Sequence, residues 1–310
     1  MTEYIVSKQD DGQFKSVQEA INAIINDGVE NATISVKEGC YEELVTIPKG
    51  IKNLRLKGEG SDKTKITYGN YAGIITKSGE KLGTNRSASV FIDVDNATFD
   101  GIAFENSYIQ EGFDTSGRQA VAVNSTGNGL IFTNCAFYGR QDTLYVREGS
   151  CLFQDCYIEG DIDFIFGAAE AVFARCEIHS RNCGSKELNG YATAASTKAK
   201  DEYGFIFYQC NFTAPSEVAP NTVYLGRPWH PSAATEPVCS ATILMNCELG
   251  KHIKEEGWTY MGQVWPETER FFEYQSTGKG AKQNEHRKQL TEEEACKVRT
   301  LIETKLCKIN

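Results

Sequence analysis

Five segments of the chain, residues 130–137, 151–158, 171–178, 204–212 and 242–249, can be laid over one another. Each alternates apolar and polar positions and closes on a cysteine, a polar or small residue and an apolar one; the cysteines are Cys135, Cys156, Cys176, Cys210 and Cys247. The alternation has the period of a β-strand, and the cysteines follow one another at steps of 21, 20, 34 and 37 residues. Short strands returning at a period near 21 fit a parallel β-helix, one repeat per coil, better than a sandwich. The two longer steps are coils carrying insertions. Residues 90–104, with Asn96-Ala97-Thr98-Phe99-Asp100-Gly101-Ile102-Ala103-Phe104, read as an earlier coil without cysteine.

A solenoid grows along one axis, so 310 residues at 40% hydrophobic content are expected to form a single domain, 1–310, although a globular core of that length would ordinarily divide. Its apolar ends need covers. Ser16-Val17-Gln18-Glu19 is a capping box, Ile21, Ile24 and Ile25 form a helical stripe and Gly28 stops it, which predicts a helix over about 16–28. Thr291-Glu292-Glu293-Glu294 is a second capping box, and Val298, Ile302 and Leu306 predict a helix to about 308. Both helices are expected to cap the coil.

The net charge of −10 and pI near 5.1 argue against a nucleic-acid or anionic-membrane partner. No apolar run reaches the roughly 20 residues a membrane span needs. Met1-Thr2-Glu3-Tyr4-Ile5-Val6 lacks a basic and an apolar leader region. The eleven cysteines are odd in number and lack C-x-x-C spacing, and five share one repeat position, where small thiols would stack inside the coil. Unpaired thiols without a leader point to a cytoplasmic chain, or to one whose leader has been removed. A monomer is expected.

Longer polar or Gly-rich stretches, residues 76–89, 107–118, 182–203, 213–237 and 250–270, separate the compact coils. Loops on one side of a solenoid make the walls of a groove, where linear polymers bind. They carry Phe113, Trp229, Trp258 and Trp265, whose faces suit pyranose rings or local packing.

Asp142 and Asp163 lie 21 residues apart, one period, which places them on adjacent strands about 4.8 Å apart in the hydrogen-bonding direction. Gln119 lies 22 residues before Gln141, so Gln119, the Gln141-Asp142 pair and Asp163 fall on three successive coils in one column. A single Asp or Gln in such a position usually caps backbone amides. Four in register suggest chemistry. Arg227, from a later coil, is a candidate counter-ion: beside one carboxylate it would hold it ionised, while the like charge keeps the other protonated. Such a split supplies a nucleophile and a general acid from one residue type. There is no G-x-S-x-G elbow, and His179, His230, His252 and His286 sit in no Ser or Cys constellation. Carboxylate attack on an ester carbonyl would give an acyl-enzyme anhydride, with the two Gln amides facing the oxyanion.

At these residues the chain resembles the pectin methylesterases. Gly39-Cys40-Tyr41-Glu42-Glu43, Gln119-Ala120-Val121-Ala122-Val123, Gln141-Asp142-Thr143-Leu144-Tyr145, Asp163-Phe164-Ile165-Phe166-Gly167 and Leu225-Gly226-Arg227-Pro228-Trp229 match that family's five signature blocks in order. The resemblance, which runs from about residue 5 to 280, implies a right-handed parallel β-helix and hydrolysis of the C6 methyl ester of galacturonate in pectin or its oligomers. It implies Asp163 as nucleophile, Asp142 as acid and then base, Gln141 as main oxyanion donor with Gln119 assisting, and Arg227 orienting Asp163. Tyr145, Phe166, Trp229 and Trp258 would line sugar subsites; no metal or organic cofactor follows. Two stretches depart from the family pattern: Gly160-Asp161-Ile162 stands where Gly-Thr-Val is common, and Thr193-Ala194-Ala195-Ser196-Thr197 where Thr-Ala-Gln-Gly-Arg is common. The alternatives are a pectate or pectin lyase and a non-catalytic polysaccharide-binding solenoid.

Overall fold

The computed structural model describes residues 2–9, 11–109 and 117–308. Three parallel sheets run along it. The first has ten strands, from Thr2–Val6 to Arg270–Tyr274; the second has eight, from Gly39–Glu42 to Glu248–Leu249; the third has seven, from Val45–Ile47 to Val223–Gly226. Neighbours within each sheet are one coil apart in sequence: Leu130–Thr133, Ser150–Gln154, Glu170–Ala174, Phe205–Tyr208 and Ala241–Met245 pair in that order. The fold is a right-handed parallel β-helix.

The repeat has a local cause. Asn134, Asp155, Arg175, Gln209 and Asn246 have φ between 52° and 56°, the left-handed region that Asn and Asp tolerate best. Each stands where the chain turns from the first sheet to the second, and the next residue is the repeat cysteine, pointing inward. Its thiol donates to the carbonyl of a Phe one coil back, at 3.2–3.5 Å: Cys135 to Phe99, Cys156 to Phe132, Cys176 to Phe153, Cys210 to Phe173 and Cys247 to Phe207. Phe99, Phe132, Phe153, Phe173 and Phe207 stack as a column with centroids 4.6–4.7 Å apart, the strand spacing itself. All eleven cysteines are free. The column begins before the first cysteine, where Ile34 and Leu56 occupy the rungs in register with Phe99.

Helix α1 (Val17–Asp27) is closed by the Ser16–Glu19 capping box and by Gly28 at φ 63°. It buries Val17, Ala20, Ile21 and Ile24 against the first coils. Glu43 fixes its start: both carboxylate oxygens accept, from the amides of Val17 and Gln18, at 2.8 and 2.9 Å. Helix α2 (Glu292–Leu306) takes a different course from the cap expected. Its buried face, Ala295, Val298 and Ile302, lies on Leu152, Val172, Ile206, Ile243, Met245 and Tyr274, an apolar stripe on the outer face of the first sheet. The last strand's open edge is covered instead by residues 287–290, whose Lys288 carbonyl accepts from Glu273 N and whose Leu290 N donates to Glu273 O. Fully buried Arg287 anchors this cover, bidentate to Glu273 at 2.6 Å and donating to the Gly280 carbonyl at 2.7 Å.

Candidate active site

The backbone ladder brings the predicted column together on the outer face of the third sheet. Ala120 N donates to Gln141 O, Asp142 N to Ile162 O, Tyr191 N to Asp161 O and Arg227 N to Thr193 O, so each coil is held to the next at the functional residues. Asp142 and Asp163 have φ of 67° and 50°, and the pairing register shifts between Ile162 and Ile165. That bulge lifts Asp163 out of the regular alternation. Gln119, Gln141, Asp142, Asp163 and Arg227 line one cleft of about 760 Å³.

Both carboxylates are buried, each 8% exposed. Arg227 grips Asp163 with two parallel bonds, Nε to Oδ1 at 2.9 Å and Nη2 to Oδ2 at 2.7 Å, the fork geometry that favours an ionised carboxylate. Burial still pushes the Asp163 carboxyl above its ordinary value, against the pull of Arg227. Asp142 is pushed well above, by burial first, then by the charge of Asp163, with Arg227 opposing and Asp161 adding to the rise. The pair is therefore unequal: Asp163 gives up its proton first, and its charge holds the next one on Asp142. Asp161 is itself held, its Oδ2 accepting from Arg140 Nε at 3.1 Å.

Beside the carboxylates lies an apolar surface. Tyr145 and Phe166 stack at 4.2 Å, and Trp229 leans on both at 6.1 and 5.6 Å; Met261 and Ala194 complete the patch. Trp258 is elsewhere. It bridges Gly226 as the next rung of the third sheet, and its side chain turns into the coil, stacked on Phe271 at 4.5 Å and 3% exposed, so it offers no face to a sugar. Phe113 lies outside the described residues. Trp265 is 54% exposed and leans on Tyr260, 51% exposed, with centroids 4.8 Å apart and planes tilted by 32°. The opposite wall, Lys81 to Arg86, belongs to the polar stretch 76–89 expected from sequence to help wall a groove. It ends in a short 3-10 helix, Thr84–Arg86, and is pinned by Asn124 Nδ2 donating to Asn85 O at 3.1 Å and by Leu82 N and Gly83 N bonding back to Ile74 and Ala72; no spacing in the sequence says which of its residues reach the carboxylates. No group of three or more His, Cys, Asp or Glu able to hold a metal ion occurs among the described residues.

The Pectinesterase family model matches residues 3–298. The chain belongs to the pectinesterase family. It is similar to Pectinesterase 4 of Arabidopsis thaliana, 32% identical over 289 residues, covering 90% of this chain and 46% of that protein, and to Pectinesterase 31 of the same plant, 34% identical, covering 89% and 83%. The chain spans about half the length of several curated relatives it matches. Among solved structures, a pectin methylesterase in complex with a hexasaccharide superposes with a TM-score of 0.88 at 33% identity, covering 96% of this chain and 95% of that one. PemA from Erwinia chrysanthemi, also a pectin methylesterase, gives 0.87 at 32%, with the same coverage.

Proposed function

We propose that the protein is a carboxylic ester hydrolase that removes C6 methyl esters from galacturonate in pectin or methylated oligogalacturonides. The observation that carries this reading is the unequal carboxylate pair: Asp163 forked by Arg227 beside an Asp142 whose proton is held by burial and by Asp163. Ionised Asp163 attacks the ester carbonyl, and the carbonyl π pair moves onto the oxygen, where Gln141, assisted by Gln119, donates hydrogen bonds. As the tetrahedral intermediate collapses, the C–O bond to methoxide breaks and Asp142 gives it a proton, so methanol leaves. Asp142, now a carboxylate, takes a proton from water; the hydroxide cleaves the anhydride, freeing the galacturonate carboxyl and restoring ionised Asp163 and protonated Asp142. Tyr145, Phe166, Trp229 and Met261 supply the apolar face for the ring and its methyl group. Family membership and the hexasaccharide bound by a structural relative support the substrate class.

The test is methanol release from highly methylated pectin and from short methylated oligogalacturonides, with ultraviolet absorbance followed in parallel. Methanol without an unsaturated product supports the esterase; unsaturated product with no methanol would replace it with a lyase. The eleven free thiols support a reducing, cytoplasmic setting, which fractionation of the native source cell checks.

A further inference from the structure

A face of the Arg227 guanidinium is covered by an aromatic ring. The guanidinium carbon lies 3.8 Å from the centre of the Tyr191 ring. Tyr191 in turn stacks on Tyr224, centroids 5.7 Å apart and planes within 8°, and Lys254 Nζ lies 5.1 Å from the Tyr224 ring. Ile162, Tyr191 and Tyr224 share one register position on successive coils. The ladder is therefore built into the third sheet, on the rung just before the bulge that lifts Asp163. Gly190 makes the approach feasible: a Cβ there would sit 1.8 Å from the Asp161 carbonyl oxygen, so only glycine lets the Tyr191 strand lie this close to the bulge.

We propose that Tyr191, backed by Tyr224, is a positioning residue that holds the Arg227 guanidinium in the one plane from which it can fork Asp163. An arginine side chain has many rotamers. A ring against its face and a carboxylate forked at its Nε–Nη2 edge leave it few. Tyr191 touches no reacting atom; it acts by keeping the Asp163 carboxylate charged and aimed. This deepens the esterase reading and rests on it for its kinetic part. The groups that face Asp163 are Arg227 from the following coils and Asp142 from the preceding coil, with Asp161 two residues upstream and Tyr260 near Tyr191.

The experiment compares wild type with Tyr191→Phe, Tyr191→Leu and Tyr191→Gln. It measures kcat and KM against pH for methanol release, and titrates the Asp163 carboxyl by carbon-13 NMR, the resonance assigned with Asp163→Asn. Removing the ring is expected to move the acid limb of kcat and the Asp163 titration up together by about 0.5–1 pH unit, with a three- to tenfold loss of kcat below the limb, roughly what one lost cation–π contact allows. Tyr191→Phe, which keeps the ring, should match wild type. Tyr224→Leu, one rung further out, should give the same shift at smaller size and stands in should the Tyr191 variants fail to fold. An unmoved titration, or a rise in KM alone, would overturn the proposal and make Tyr191 a sugar contact or a packing residue. Should wild type release no methanol, the NMR titration still decides the ladder, and the esterase reading alone falls.

Discussion

Asp142 is the residue where function and stability oppose each other. Its carboxyl is pushed well above the ordinary 3.8, so the unfolded chain loses this proton at lower pH than the folded one. The sign follows: as pH rises from the unfolded value toward the folded value, the unfolded state binds fewer protons and stability falls, by about 1.4 kcal/mol per pH unit across that interval. Asp142→Asn keeps the shape without the charge. It is expected to raise Tm at neutral and alkaline pH, to leave it nearly unchanged below pH 4, and to abolish turnover; thermal melts against pH check it. The same inequality shapes catalysis. The proposed mechanism requires ionised Asp163 and protonated Asp142, so kcat/KM against pH should be a bell whose acid limb lies above the ordinary carboxylate range and whose alkaline limb belongs to Asp142. An activity still rising where both carboxyls are ionised would contradict these roles. The column Gln119, Gln141, Asp142 and Asp163 was legible in the sequence because a fixed period converts residue number into position. Tyr191 was not, because nothing in its flanking sequence says that a guanidinium from a later coil will lie on it.

Among the elements, α1 depends on a contact outside itself. Glu43, from a strand-to-strand turn of the first coils, accepts from two amides at the start of the helix, where the helix dipole also favours negative charge. Glu43→Ala is expected to destabilise the fold by about 1–3 kcal/mol with kcat unchanged, measured by denaturant unfolding and methanol release. The two helices show what a stripe of apolar residues can and cannot tell. Ile21 and Ile24, or Val298 and Ile302, announce that a face will be buried. They do not say against what, and α2 covers the outside of the first sheet rather than its end. Trp258 is the same problem in one side chain: an aromatic in a loop sequence reads as exposed until its pairing with Gly226 turns it inward. The cysteine coils were legible because the left-handed corner residue and the thiol behind it recur together. The earlier coils at Ile34 and Leu56 lack both marks and went unread.

At the scale of the whole molecule, the proposed function sets a chain of charge −10 on a substrate that gains a negative charge with every ester removed. Repulsion between the two should weaken binding as reaction proceeds, and salt should relieve it, since the screening length falls to about 10 Å at 0.1 M. KM for partly de-esterified pectin is expected to fall between low and moderate ionic strength, while KM for a short, fully methylated oligomer changes little. A KM that rises with salt would show that local cations of the cleft, among them Lys81, Arg86 and Arg227, outweigh the net charge. The solenoid was legible at this scale because its core is one-dimensional: Phe column, thiol column and sheet ladders all repeat at one spacing, and a repeat in space is a repeat in sequence. The cleft walls do not repeat, and only the folded coils bring Lys81 to Arg86 opposite Trp229 and Met261.

The carboxylate pair is tested most directly by methanol release from wild type, Asp163→Asn and Asp142→Asn side by side, each shown to be folded. Wild type is expected to release methanol from methylated pectin, and each variant to lose at least about three orders of magnitude in kcat, since removing a nucleophile or its acid forfeits on that order or more. Turnover by Asp163→Asn within tenfold of wild type would contradict the account, because the carboxylate that Arg227 holds would then have no part in breaking the ester.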